Sequence, residues 1–120
     1  MIKILAIDDD IKITYLMKDF FNNIGYDIIT KNNGGEGITA FNRDNIDIVI
    51  TDIDMPGVNG NEVARRIRRS RKRKKRKIPI IALTGGLDKN IEKNLFNYVL
   101  KKPIKLNTLL RTINSCSHKH

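Results

Sequence analysis

The chain is predicted to fold as an α/β protein, a doubly wound parallel sheet of five strands with helices on both faces. Three observations predict it. Short apolar runs alternate with amphipathic stretches five times along the 120 residues. The runs are apolar at successive positions, as strands buried on both faces require. A handful of charged and hydroxyl side chains follow these runs directly. Strict β-α alternation implies right-handed crossovers and places any ligand outside the carboxyl ends of the strands.

The predicted strands are residues 2–7, 27–30, 46–51, 78–83 and 98–100. The clearest helix follows the first strand, where Ile13, Leu16, Met17, Phe20 and Ile24 recur at offsets of three and four and so share a face. Ile38 and Phe41 mark a second helix, although Gly37 inside it costs roughly 1 kcal/mol relative to Ala. Val63 and Ile67 mark a third over residues 61–70, Ile91 and Leu95 a fourth over 88–96, and Leu109, Leu110 and Ile113 a fifth over 106–115.

Composition narrows the class. Hydrophobic content of 40% beside 30% charged residues is globular, and without Trp the core falls to Ile, Leu and Val. One domain over residues 1–120 is expected, with 115–120 as a polar tail carrying His118 and His120. No apolar stretch approaches the ~20 residues of a membrane span, and residues 1–7 run into three aspartates, unlike a secretory signal. A cytoplasmic protein is expected, and the lone Cys116 suits a reducing compartment.

Four islands sit at predicted strand ends: Asp8 with Asp9, Asp52, Thr84, and Lys102 with Pro103. All fall on the carboxyl rim. Three carboxylates brought together repel one another unless a cation or metal balances them. Mg²⁺ takes carboxylate, carbonyl and phosphate oxygens, which Asp8, Asp9 and Asp52 would supply in part. A carboxylate also serves as a nucleophile toward phosphorus, with Mg²⁺ and a lysine neutralising the phosphoryl oxygens. Asp52 is the central candidate and Lys102 its charge partner.

Those residues lie in the segments ILAIDDD, VITDIDMPGVNG, IIALTGG and KKPI, and in that order the chain resembles a receiver domain of the two-component response regulators over nearly its whole length. The resemblance implies a flavodoxin-like strand order 2-1-3-4-5. It implies phosphorylation of Asp52 by a histidine kinase or phosphotransfer protein, with Mg²⁺ held by Asp8, Asp9, Asp52 and the Asp54 carbonyl. Thr84 would hydrogen-bond the phosphoryl group and Lys102 would pair with it. Such a module signals through a changed surface, made of helix four, strand five and helix five, to a downstream protein. It is not an enzyme beyond its own phosphorylation and slow dephosphorylation. Met55, Pro56, Gly57 and Gly60 resemble the loop after the acceptor, whose glycines allow positive φ. Val99 stands where many receivers carry an aromatic, and Tyr98 is expected to face the other way. The segment between Gly85 and Tyr98 is short for the family, so a brief or mobile fourth helix is expected.

Net charge is +10, but residues 65–77, RRIRRSRKRKKRK, hold eleven Lys or Arg and no acid, which leaves the rest at −1. A helix from Asn61 needs ~11–13 residues at ~1.5 Å each to recross a strand ~17–20 Å long. Residues 71–77 are therefore expected as a loop or frayed helix end on the rim opposite Asp52, with no acid in the run to neutralise it. Two readings stand: a solvated, self-repelling flap, or a dock for an acidic partner such as protein, nucleic acid or anionic membrane. A phosphatase of the haloacid-dehalogenase type is a further rival, since Asp52 and Asp54 resemble its motif. That motif belongs near the first strand, however, and Pro56 occupies a position that it wants as Thr or Val.

Overall fold

The computed structural model describes residues 2–86 and 90–117. Five strands, β1 (Lys3–Ile7), β2 (Asp27–Lys31), β3 (Ile48–Asp52), β4 (Ile80–Thr84) and β5 (Tyr98–Lys101), form one parallel sheet in the order β2-β1-β3-β4-β5. The predicted sheet and its order hold. β3 and β4 begin two residues later than expected. Pro79 has no N–H to contribute to a ladder, and β4 starts just after it.

Helices α1 (Ile11–Asn23) and α5 (Leu106–Ser117) cover one face. There Met17, Phe21, Leu109 and Ile113 close over Ile4, Ile50, Ile81 and Leu83. α2 (Gly34–Arg43) and α3 (Gly60–Arg68) cover the other, where Ala40, Phe41, Val63, Ala64 and Ile67 pack on Leu5, Ile7, Val49 and Ile80. The strands at the centre are apolar on both faces because each face meets a helix layer. Gly37 is explained here: a Cβ on it would lie 2.3 Å from Ile7 Cδ1, so the glycine lets α2 sit close on β1.

Several expectations are corrected. The buried face of α1 is Thr14, Met17 and Phe21, while Leu16 and Ile24 are 55% and 46% exposed. The helix is rotated by about one residue because Thr14 is drawn inward, its Oγ1 accepting from Asn32 Nδ2 at 2.9 Å and donating to Ile11 O. The fourth predicted helix is, in its described part, a single 3₁₀ turn at Lys93–Leu95, and residues 87–89 lie outside the described residues. Four residues of the basic run instead form a one-turn helix, α4 (Arg73–Arg76). Finally, 115–117 are not tail: they complete α5, with Cys116 buried. His118 and His120 lie outside the described residues.

Candidate phosphoryl site

Asp8 follows β1, Asp52 closes β3, Thr84 closes β4 and Lys102 follows β5, so parallel strands bring all four to one rim. Local bonds fix each position. Asp8 N–H donates to Lys31 O of β2, and Asn32 Nδ2 donates to Asp8 O at 2.9 Å as well as to Thr14. Asp8 Oδ1 accepts from Asp10 N at 2.9 Å, and Asp10 in turn caps α1 by accepting from Lys12 N. Asn32 and Asp10 are therefore positioning residues that the strand-end pattern did not single out. Their sequence signal was the ordinary one of Asn and Asp at turns and helix starts.

Asp8, Asp52 and Thr84 are buried, whereas Asp9 is exposed. One carboxylate oxygen from each of Asp8, Asp9 and Asp52 lies within 4.8 Å of the others. Lys102 Nζ stands 3.1 Å from Asp8 Oδ2 and 3.3 Å from Asp52 Oδ2. The Asp8 contact is ionic rather than a directed bond, because Asp8 Oδ2 is buried without a hydrogen-bond partner. A buried anionic oxygen held by one ion pair and facing two more carboxylates is the kind of donor set a hard divalent cation needs. These residues fit Mg²⁺.

Electrostatics agree with this arrangement. Burial, then the charge of Asp8, pushes the Asp52 carboxyl up to about 6, against the opposing pull of Lys102. Burial also raises Asp8, although the Asp10 N–H and Lys102 counter it. Burial disfavours the charged form of Lys102, yet Asp8 and Asp52 together hold its ammonium above the usual lysine range.

The loop after β3 sets the approach to Asp52. Gly57 has φ of +77°, as the glycine reading expected, but Gly60 does not have positive φ. Gly60 opens α3 directly against Asp52: a Cβ there would lie 2.3 Å from Asp52 O, and the Gly60 N–H donates to Ile53 O at 3.0 Å. Asp54 is exposed in this loop, and its carboxylate is not in the group formed by Asp8, Asp9 and Asp52. Thr84 Oγ1 accepts from Gly86 N at 3.2 Å, and Lys102 N–H donates to Thr84 O at 2.7 Å, which sets the lysine beside β4. The Lys102–Pro103 peptide bond is cis.

The sequence of residues 4–114 matches the family model of the response regulator receiver domain. The chain belongs to the receiver-domain family. This receiver is 31% identical to protein PilH of Pseudomonas aeruginosa, over 96% of this chain and 97% of that protein. Its fold is similar to the Vibrio cholerae chemotaxis response regulator CheY4, with a TM-score of 0.86 and 28% identity over 97% of this chain and 98% of that one. It is also similar to TrrA of Thermotoga maritima, solved in complex with Mg²⁺-BeF, with a TM-score of 0.84 and 33% identity over 97% of this chain and 99% of that one. TrrA has also been solved in complex with the histidine kinase ThkA. The receiver spans about half the length of other curated relatives, 52% of the probable transcriptional regulator ycf29 of Pyropia yezoensis at 30% identity. The module serves phosphorelay signalling, and this membership displaces the phosphatase reading. Among the described residues no helix is long and apolar enough to cross a membrane.

Proposed function

We propose that Asp52 accepts a phosphoryl group from a histidine kinase or a phosphotransfer protein in the cytoplasm, and that its phosphorylation alters a docking surface for a downstream protein. The observation that carries this reading is a buried carboxylate at a strand end, held between a lysine ammonium and two further acids. With a carboxyl near 6, Asp52 is ionised at neutral pH and able to attack. Its oxygen bonds to phosphorus as the phosphorus–nitrogen bond to the donor histidine breaks, and the imidazole leaves with the electron pair. Lys102 then pairs with a phosphoryl oxygen, and the Thr84 hydroxyl donates to another. Asp8, Asp9, Asp52 and the Asp54 carbonyl would hold Mg²⁺, which neutralises charge on the transferring oxygens. TrrA, with its Mg²⁺-BeF and ThkA complexes, supports both the metal and the kinase partner. The receiver's own chemistry extends only to this transfer and to slow hydrolysis of the aspartyl phosphate.

Readout would run through β5 and α5. Tyr98 packs with Leu100 toward the α1/α5 core while Val99 is 39% exposed, so the usual aromatic position offers no ring to rotate. Thr84 is linked to this edge through the Lys102 N–H. Incubation with acetyl phosphate and Mg²⁺ followed by intact mass should add one phosphate to the wild type and none to Asp52→Asn. An adduct that persists in Asp52→Asn defeats the assignment.

A further inference from the structure

The eleven cations of 65–77 do not act as one group. Arg65 pairs with Glu62 and with Glu92, and Arg66 Nε donates to Glu62 at 2.8 Å. Arg68 donates to the carbonyls of Leu95, Arg76 and Ile78 and to Asn97 Oδ1. Lys75 Nζ donates to Phe41 O at 2.8 Å and Asn42 O at 3.1 Å, which closes the end of α2, and lies 5.1 Å from the centroid of the Phe41 ring. The expectation that the run lacks neutralising partners is thus corrected for Arg65 and Arg66, whereas Arg68 and Lys75 are held by neutral oxygens. Glu62 and Glu92 lie outside the run in sequence but beside it in space.

The internal bonds hold the remaining seven in place. Arg69, Arg71, Lys72, Arg73, Lys74, Arg76 and Lys77 have no carboxylate within ion-pair distance among the described residues, and all seven are exposed, on α4 and the segments around it. They lie beneath the amino-terminal ends of the strands, where Val49 N–H donates to Pro79 O, so a whole strand of roughly 15 Å separates them from Asp52. Seven charges within nine residues are matched in density by a phosphate backbone better than by a folded acidic protein, and four are guanidinium groups suited to bidentate phosphate contacts. No aromatic residue lies among 69–77, which removes the stacking platform that single strands use.

We infer that residues 69–77 bind duplex nucleic acid through its phosphates, without reading sequence, on a rim that leaves Asp52 open to its phosphodonor. This surface is independent of the phosphoryl reading. If the seven cations without a partner each meet one phosphate, log affinity should fall against log salt with a slope of about −6.

The test uses the full chain, a fluorescein-labelled 20-base-pair DNA duplex of mixed sequence, and anisotropy between 50 and 200 mM salt. Binding should weaken with a slope of roughly −4 to −6, a scrambled duplex should bind equally, and a single strand of the same length should bind less tightly. Changing Arg71, Lys72 and Arg73 to Gln together should flatten the slope by about 2.7, at ~0.9 per phosphate lost, and changing all seven should abolish binding. The three-residue variant keeps every internal bond, so its thermal midpoint and its phosphorylation by acetyl phosphate should be unchanged. A slope shallower than about −2, or variants that bind as the wild type does, overturns the inference. So does tighter binding, at equal salt, of a labelled glutamate-rich peptide, which would assign the surface to an acidic protein.

Discussion

Lys102 Nζ reaches to 3.3 Å from Asp52 Oδ2 although β4 lies between the strands that carry them. The reach is set by the bond from Lys102 N–H to Thr84 O, which ties the end of β5 to the end of β4. The same ammonium stands 3.1 Å from Asp8 Oδ2. One cation therefore serves two buried acids, and the excess negative charge is balanced by protonation at Asp52 or by a bound metal.

Stability should fall as pH rises through the range in which Asp52 ionises. Its folded value of about 6 lies above the ordinary 3.8, so the folded state holds the extra proton between those values and loses that advantage above about pH 6. The full deficit is at most about 3 kcal/mol, at ~1.4 kcal/mol per pH unit. Asp52→Asn removes the charge. Its thermal midpoint in EDTA should exceed the wild type's by several degrees at pH 7.5 and converge with it at pH 4. A variant no more stable at pH 7.5 contradicts the electrostatic account.

Removing the counter-charge should have the opposite effect. Lys102→Ala leaves Asp8 and Asp52 buried together without a cation, which should cost on the order of 1–3 kcal/mol at pH 7.5 and less at pH 4, where Asp52 is protonated. Urea midpoints at the two pH values measure it. Equal losses at both would mean that the lysine acts by packing alone.

Gly60→Ala tests the close approach of α3 to Asp52. The new Cβ would meet Asp52 O and Ile53 Cα at 2.3 and 2.8 Å, both backbone atoms that cannot step aside singly. A loss of about 1–3 kcal/mol is expected, together with slower phosphorylation by acetyl phosphate, because the end of β3 must shift. Unchanged stability and phosphorylation would show that the contact relaxes freely.

Arg68 joins α3 to the β4–β5 connection. Its guanidinium spans three carbonyls and Asn97 Oδ1, which also accepts from Ile80 N at 2.8 Å, and its burial lowers the guanidinium below the usual arginine range. Arg68→Ala should destabilise by ~2–3 kcal/mol, and Arg68→Lys should recover little, since an ammonium cannot match the planar fork. Full rescue by lysine would reduce the network to its charge.

The strand runs, their carboxyl-rim polar residues and the placement of the basic run opposite Asp52 were all legible in the sequence. Each depends on local periodicity and on the one-way geometry of β-α units. Asp8, Asp52, Thr84 and Lys102 converge because parallel strands all end on the same side. The errors have a common cause. Leu16 and Ile24 were assigned to the core by spacing alone, but the hydrogen bonds of Thr14 to Asn32 and Ile11 set the rotation of α1. Gly60 was read as a turn glycine, when the backbone of β3 requires it.

By itself, then, the sequence determined the fold class, the family and which residues meet at the candidate site, because these follow from patterns within short segments and their order. Only the tertiary structure decided which cations are free. Glu62, Glu92 and the carbonyls of Phe41, Asn42, Leu95 and Ile78 take up four of the eleven; Phe41, Asn42, Glu92 and Leu95 are distant in sequence, whereas Glu62 and Ile78 flank the run. Charge neutralisation acts through space, so a run that reads as uniform is divided by its neighbours into structural and available residues.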